Sequence, residues 1–260
     1  MRFVLTFLLL SGSVFAATAA DPDPSQVDEI IAKFAAKEAA FAQARTNYTY
    51  RQTARVMTLD DSGNSTGKWE EVTDIVFTPS GQRIEKVAYA PPNTLTAISL
   101  DPGDMQDLRE VQPFVLTTAE LPKYYIRYLG REQLDEISCY AFAVKPKKLE
   151  SGKRYFTGEV WVDDRDMQIV KSYGRGVGIT HGDYQYAKFE TYREQIDGKY
   201  WFPTYTISNA TLHFKENDQR IKETVKYEDY KQFKSDIKIK YDTDDPAKTA
   251  EPTQPPPKKP

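Results

Sequence analysis

The sequence predicts an α+β, mainly β protein whose strands form an antiparallel meander. Two extended runs of alternating apolar and polar residues flank the acidic turn at 163–166, and two more flank Asp197-Gly198. An Asp-Gly step between alternating runs is the strongest short-range signal of a β-hairpin. Aromatic residues make up 13% of the chain, with 17 Tyr among them, and this composition favours strands.

One amphipathic helix is predicted ahead of the strands, from the Asp23-Pro24 step to about Arg45. Pro24 suits the first helical turn, where its missing N–H is not needed. Apolar residues recur behind it at helical spacing, so the helix should lay one stripe against another element. The stripe consists of Val27, Ile30, Ile31, Phe34 and Phe41, whereas Lys33, Lys37 and Glu38 are expected elsewhere on the helix surface.

Alternating runs predict strands through most of the remaining chain. They are Tyr48–Leu59, Trp69–Phe77, Arg83–Tyr89, Lys123–Leu129, Cys139–Lys145, Arg154–Val162, Gln168–Tyr173, Tyr184–Ile196, Tyr200–Phe214 and Ile221–Phe233. The Gly-rich segment 174–182 is predicted to be a flexible break. A phosphate-binding loop is rejected for this segment, because a strand follows it where such a loop needs a helix.

The two ends of the chain differ from its middle. Residues 1–20 have the pattern of a secretory signal, with Arg2 before the apolar core Phe3–Leu10 and small residues at the expected cleavage region. The core is too short to span a bilayer, and no Cys near the cleavage region offers a site for a lipid. The alternative, a buried N-terminal helix, is disfavoured by the small-residue cluster. Residues 234–260 are charged and rich in Pro, so we expect a disordered tail, either a spacer or a docking segment.

Residues 21–233 are expected to form a single exported domain, soluble and monomeric, with no transmembrane segment after cleavage. Within it, residues 91–122 stand out because they hold five Pro. Short helical pieces are predicted there at Asp104–Glu110 and Thr117–Leu121. An insertion of this length in a sheet protein is either a mobile lid or a passive crossover, and the sequence leaves both open.

The sequence contains no recognisable catalytic or metal-binding set. Its two His, His181 and His213, stand in a Gly-rich loop and in a strand, without the nucleophile elbow of a hydrolase. Hydrogen bonds to the turn backbone explain the acidic turn at 163–166 better than Ca²⁺ does. Cys139, the only Cys, is interpreted as a small apolar residue of a strand. We therefore predict no enzymatic activity, no metal and no cofactor; a hydrolase stays open only because the chain has 38 acidic residues.

The positive signal that remains is apolar surface on the strands. A net charge of −3 gives no electrostatic reason to bind nucleic acid or an anionic membrane surface. If the helix and the insertion cover one sheet face incompletely, an apolar cavity results; if they cover it completely, the same residues form an ordinary core, which the pattern alone favours. The candidate ligand-binding residues are Phe142, Val144, Val160, Val162, Trp201, Tyr205, Ile207, Val225 and Tyr227.

Two stretches of the meander resemble a known family. Gly158-Glu-Val-Trp-Val-Asp163 precedes a strand that carries Ile169-Val170, and Asp197-Gly-Lys-Tyr-Trp-Phe-Pro203 leads into an alternating strand. Together with the signal segment, the helix and the long meander, this pattern is similar to the outer-membrane lipoprotein-sorting family, the periplasmic lipoprotein carriers and their relatives. The resemblance covers most of residues 25–233.

The resemblance implies an incomplete antiparallel β-barrel, a strongly curved sheet whose open side is covered by the N-terminal helix and short helices. In the family an apolar cavity between sheet and helices receives acyl chains without covalent chemistry, and relatives with the same fold sense envelope stress. The carriers use an Arg of the sheet to latch the lid; Arg51, Arg55 and Arg83 are candidate counterparts, and none is assigned. The insertion and the tail have no match in the carriers.

The expected function is therefore a periplasmic, non-enzymatic binder or carrier of the acyl chains of lipid or lipoprotein. Envelope membrane proteins are further candidate partners. The alternative is an envelope scaffold or stress-sensing regulator with a closed core, whose protein partner docks on an exposed strand edge or on the tail.

Overall fold

Ten antiparallel strands form one sheet, and its two edge strands do not pair with each other in the described residues. The structure is a computed structural model that describes residues 21–78, 80–180, 185–215 and 217–233. The strands are β1 (Tyr48–Leu59), β2 (Ser65–Phe77), β3 (Arg83–Tyr89), β4 (Tyr124–Leu134), β5 (Ile137–Pro146), β6 (Tyr155–Asp163), β7 (Ile169–Val177), β8 (Phe189–Gln195), β9 (Trp201–His213) and β10 (Asp218–Gln232). The mainly β, incomplete barrel predicted from the sequence is confirmed. The predicted signal segment 1–20 and tail 234–260 lie outside the described residues.

The order of the strands explains why the chain needs a long insertion. It runs β3-β2-β1-β10-β9-β8-β7-β6-β5-β4, so β3 and β4 stand at opposite edges. From β4 the chain meanders back until β10 pairs with β1. The connection from β3 to β4 must therefore cross a whole face of the sheet, and this places residues 91–122 over the face that becomes the core.

The N-terminal helix α1 (Pro24–Ala44) begins and ends where the sequence predicts. Asp23 caps it: its carboxylate accepts the Gln26 backbone N–H, and the Gln26 side chain accepts the Asp23 backbone N–H. This reciprocal pair satisfies two backbone donors that the first helical turn leaves open. We call the sheet face against which α1 packs the inner face.

The helix buries one residue that the sequence assigns to its surface. Ile30, Phe34 and Phe41 are buried as predicted, but Glu38 is also fully buried, with 0% of its surface exposed. Its position follows from helical spacing, since it lies four residues after Phe34 and shares the buried stripe. The prediction was wrong because a charged side chain was assumed to need water.

Two Gly residues extend β7 beyond the predicted strand end. The strand continues through Gly174 and Gly176 to Val177, so the predicted flexible break is wrong for this part. A Cβ at Gly174 would lie 2.8 Å from the ring of Phe156, and one at Gly176 would collide with the carboxylate of Asp107. These glycines serve a close approach of other groups to the strand, a common reason for Gly within a sheet.

The inner face and α1 enclose the main core. Phe34 packs on Phe142 with 5.3 Å between ring centroids, and Phe41 meets Phe202 edge-on at 5.2 Å. The insertion completes this core with Val111, Phe114 and Leu116. Burying an apolar side chain of this size contributes roughly 1.5–3 kcal/mol, so these contacts hold helix, insertion and sheet together.

The insertion contains little regular structure. A short helix α2 (Pro102–Gln106) continues into a π-helical turn, Asp107–Val111, and a 3-10 turn, Leu121–Lys123, precedes β4. The first predicted helical piece is thus confirmed, and the second is displaced toward β4. No helix in the described part of the chain is both long and apolar enough to cross a membrane.

Candidate functional site

The core does not extend over the whole inner face, and a cavity of about 560 Å³ remains between the sheet and the first half of the insertion. This volume lies within the range of roughly 300–1,000 Å³ that small-molecule sites occupy. Four consecutive strands of the sheet order supply its apolar wall. The wall residues are Val56 of β1, Ile221 of β10, Leu212 of β9 and Phe189 of β8.

Residues 95–100 cover this wall from the opposite side. Leu95, Ile98 and Leu100 line the cavity, and the segment forms neither helix nor strand. Thr94 attaches the segment to β2. Its backbone N–H and its hydroxyl donate to the carbonyl of Lys68, and its hydroxyl accepts the Lys68 backbone N–H. Backbone amides that lack regular hydrogen bonds are characteristic of segments that open at low free-energy cost.

An acidic cluster closes one end of the cavity. It consists of Asp101, Asp104, Asp107 and Glu223, which all line the cavity. Asp101 and Asp104 cap α2 reciprocally through their carboxylates and backbone N–H groups. Glu223 extends from β10 and accepts a hydrogen bond of 2.5 Å from the side chain of Gln112. The cluster therefore joins the insertion to the sheet beside the apolar wall of the cavity.

Burial shifts these carboxyl groups toward their neutral forms. Burial raises the pKa of Glu223 to about 7, and the nearby charges of Asp104 and Asp107 add to the shift although the Gln112 hydrogen bond opposes it. Burial likewise raises the pKa of Asp104 to about 6, with contributions from Asp101 and Asp107. Desolvation and like charges disfavour an ionised carboxyl group in this way.

One member of the acidic cluster has a cation of its own. Arg154 forms two parallel bonds to Asp107, Nε to Oδ1 at 2.8 Å and Nη2 to Oδ2 at 2.5 Å. The guanidinium also lies 3.6 Å from the ring centre of Tyr186, whose hydroxyl donates to Asp101. Gly176 leaves the space for the Asp107 carboxylate against β7. This arrangement anchors α2 to the strands on one side of the cavity.

A second buried ion pair joins the inner face of the sheet to α1. Arg193 of β8 places Nη1 3.2 and 3.1 Å from the two carboxylate oxygens of Glu38. Its Nη2 donates to the backbone carbonyl of Phe114, while Ile169 N donates to Glu38 at 3.1 Å. One arginine of the sheet thus holds both α1 and the insertion.

The arginines weighed as lid latches lie elsewhere. Arg51 pairs with Asp74 and Arg55 with Glu70, both among partly exposed strand residues. Arg83 binds Glu85, which also accepts from Arg109 of the insertion, so a shared carboxylate links Arg83 to the insertion. The direct hydrogen bond to the insertion comes from Arg193, which no local motif of the sequence singles out.

The structure distributes the candidate ligand-binding residues over three places, and their role in binding stays a prediction. Phe142, Val144, Val160 and Val162 belong to the closed core under α1. Val225 and Tyr227 pack beneath Leu108 of the insertion. The remaining three, Trp201, Tyr205 and Ile207, are partly exposed. None of these residues is among those that line the 560 Å³ cavity.

A wider depression of about 810 Å³ lies where the pairing of β7 with β8 ends. Ile207 is one of its lining residues, and it shares Tyr186 and Phe189 with the first cavity. Residues 181–184, which follow Thr180 of its lining, lie outside the described residues, so the depression is not a candidate site.

The polar residues that were considered for catalysis or metal binding lie, where the structure describes them, in a turn, in the core or at the surface. Asp163 accepts the backbone N–H of Arg165, as the turn interpretation predicts. Cys139 is fully buried, and burial raises the pKa of its thiol to about 12. His213 is exposed at the end of β9 beside Asp218, and His181 lies outside the described residues. No group of three or more metal-ligating side chains occurs in the part of the chain that the structure describes.

Solved structures supply the comparison for this fold. A DUF1329 family protein from Desulfovibrio piger is 12% identical, with a TM-score of 0.43 over 84% of this chain and 95% of that chain. A LolA superfamily protein from Nitrosomonas europaea is 13% identical, with a TM-score of 0.34 over 79% and 93%. A lipoprotein-sorting protein domain from Vibrio parahaemolyticus adds 10% identity and a TM-score of 0.35 over 77% and 92%.

The family that the sequence resembles is thus among those whose solved structures are similar to this chain. No family model and no curated protein matches the chain.

The cavity could not be predicted from the sequence, and the reason is physical. Its wall residues carry the same alternating pattern as the residues of the closed core, and only the path of the insertion separates the two sets. A usable signal was present in the insertion itself. Asp101, Asp104 and Asp107 recur every three residues beside Leu100 and Leu108, so a helical turn there presents carboxylates next to apolar side chains.

Proposed function

We propose that this chain is an exported, periplasmic, non-enzymatic binder or carrier of apolar ligands, the acyl chains of lipid or lipoprotein. One observation carries the proposal: the inner face is closed by α1 and residues 105–116 but leaves a cavity of about 560 Å³ under residues 95–100. An acyl chain that leaves water for this wall gains about 0.8 kcal/mol for each buried methylene. No covalent chemistry is required.

The path into the cavity would be the segment 95–100. Its neighbours on both sides are fixed, at Thr94 by hydrogen bonds to β2 and at Asp101 by the cap of α2. Within the described part of the chain, residues 96–100 donate no backbone hydrogen bonds. Movement of this segment would uncover the wall without breaking the core, so we assign it the role of the lid.

A cavity-filling substitution tests the proposal. Ile221→Trp places an indole in the cavity, whereas Ile84→Trp places the same side chain on the edge strand β3, where Ile84 is 45% exposed. The delipidated protein and the Ile84→Trp variant should bind 1-dodecanol and gain thermal stability from it, because a ligand that binds only the folded state stabilises it. The Ile221→Trp variant should fold and lose that gain.

Native mass spectrometry of protein purified without detergent gives an independent readout. Co-purified lipid or lipoprotein that disappears in Ile221→Trp would support the carrier function. Equal dodecanol binding by the wild type, Ile84→Trp and Ile221→Trp, or no binding by any of these three proteins, would contradict the carrier function.

A scaffold or regulatory function is the second candidate, because edge strand β3 is free and carries apolar side chains. Val87 and Tyr89 are 53% and 56% exposed there. An unpaired edge of this kind accepts a strand from a partner protein. A Val87→Lys variant that loses an envelope protein partner but still binds dodecanol would favour this function over the carrier.

A further inference from the structure

Three side chains at the acidic end of the cavity have open hydrogen-bond acceptors. Glu223 uses one carboxylate oxygen for Gln112, and its other oxygen has no hydrogen-bond partner among the described residues. Gln112 is 3% exposed, and its side-chain oxygen is likewise without a partner in the described part of the chain. Asp104 uses one oxygen for the backbone N–H of Asp101 and leaves the other open. The Gln112 oxygen is buried, and a buried acceptor without a donor is costly, so a donor that enters the cavity here would satisfy it.

The charge at this end of the cavity is also unbalanced. Of the acidic cluster, Asp107 is neutralised by Arg154, and Asp101 is occupied by the Tyr186 hydroxyl and by its own helix cap. Asp104 and Glu223 have no cationic partner, and none of the described residues that line the cavity is Lys or Arg. A carboxylate ligand would add repulsion here, whereas a cation would relieve it.

We propose that the acidic end of the cavity binds a protonated amine, so that the ligand is an amphiphile with an apolar body and an ammonium head. This inference rests on the proposed function and names its ligand class. An ammonium carries three donors and no acceptor. Its donors suit the open acceptors of Glu223, Gln112 and Asp104, while the apolar body lies along Ile221, Leu212 and Phe189. Hydrogen bonds to a charged group are roughly twice as strong as neutral ones, so the head group confers selectivity.

Three ligands of equal chain length test this selectivity. Dodecylamine, 1-dodecanol and dodecanoate are titrated into the delipidated full-length protein at pH 8, below their aggregation concentrations, with dissociation constants measured by calorimetry. We expect dodecylamine to bind about tenfold more tightly than dodecanol, which corresponds to one charge-assisted hydrogen bond. Dodecanoate should bind most weakly.

Matched variants locate the selectivity at the cavity. Glu223→Gln should weaken dodecylamine binding about tenfold and leave dodecanol binding unchanged. Glu228→Gln on the same strand, where Glu228 is exposed, should change neither. Ile221→Trp should remove saturable binding of the amine, which separates the cavity from attraction to the acidic protein surface.

The outcomes distinguish the inference from the function on which it rests. Dodecanol that binds as tightly as the amine, or an amine preference that survives Glu223→Gln, overturns the ammonium site and leaves the apolar carrier standing. Tighter binding of dodecanoate overturns the site as well. Absence of binding by all three ligands overturns both.

Discussion

Removing the guanidinium of Arg193 should destabilise the fold more than any surface change of charge. Arg193 and Glu38 are buried, with 3% and 0% of their side chains exposed, and each is the other's ionic partner. In Arg193→Met the carboxylate of Glu38 keeps only the backbone N–H of Ile169, and the carbonyl of Phe114 loses its donor. The perturbation therefore acts on α1, on the insertion and on the sheet at once.

The expected loss of stability follows from the buried charge that the substitution leaves unpaired. Breaking a buried ion pair by removing one partner costs about 3–5 kcal/mol, because the remaining charge stays desolvated without compensation. For a domain of this size, each kcal/mol lowers the melting temperature by about 2–4 °C, so Arg193→Met should melt about 6–20 °C below the wild type. The double variant Glu38→Leu/Arg193→Met leaves no buried charge and should recover at least about 2 kcal/mol of the summed single losses.

Urea denaturation of the wild type, the two single variants and the double variant measures the coupling between the residues. Arg51→Met serves as control, since the Arg51–Asp74 pair is 44% and 39% exposed and should contribute less than about 1 kcal/mol. Additive losses in the double variant, or a loss from Arg193→Met no larger than that of the control, would refute the assignment of Arg193 as the contact that holds the helix and the insertion.

Two further predictions concern the acidic end of the cavity. The folded protein holds a proton at Glu223 up to a pKa of about 7, whereas the ordinary pKa of a Glu side chain is 4.5. The free energy of unfolding should therefore fall as the pH rises through that window. Glu223→Gln should remove up to about 3 kcal/mol of this fall, measured by urea denaturation from pH 4.5 to 8. Gly176→Ala should cost about 1–3 kcal/mol, because its Cβ collides with the Asp107 carboxylate and forces Asp107 away from Arg154. A melting temperature for Gly176→Ala equal to that of the wild type would contradict the close approach.

Local pattern was sufficient to predict most of the fold. The helix was predicted to begin at Asp23-Pro24 and ends at Ala44, and β1 and β3 have the predicted bounds. These elements depend on spacing and on caps that lie within a few residues. The order of the strands was not predicted, because the pairing of β10 with β1 joins segments from opposite ends of the domain.

The charged features of the molecule could not be predicted in the same way. Glu38 is buried only because Arg193 meets it across 155 residues of sequence, and Asp107 is buried only because Arg154 does so across 47. A single sequence shows each charge without its partner, and an isolated charge is correctly assigned to the surface. The cavity follows the same logic, since its wall and the closed core differ only in what the insertion places above them.

The contrast between the paired and the unpaired polar groups points to where the ligand should lie. Two buried carboxylates of the described core have a cationic partner: Glu38 has Arg193, and Asp107 has Arg154. Glu223 and Gln112, which line the cavity, keep open acceptors in the described structure. Open acceptors beside an apolar wall, in a lining that holds no Lys or Arg among the described residues, are what a ligand with an apolar body and a donating head requires.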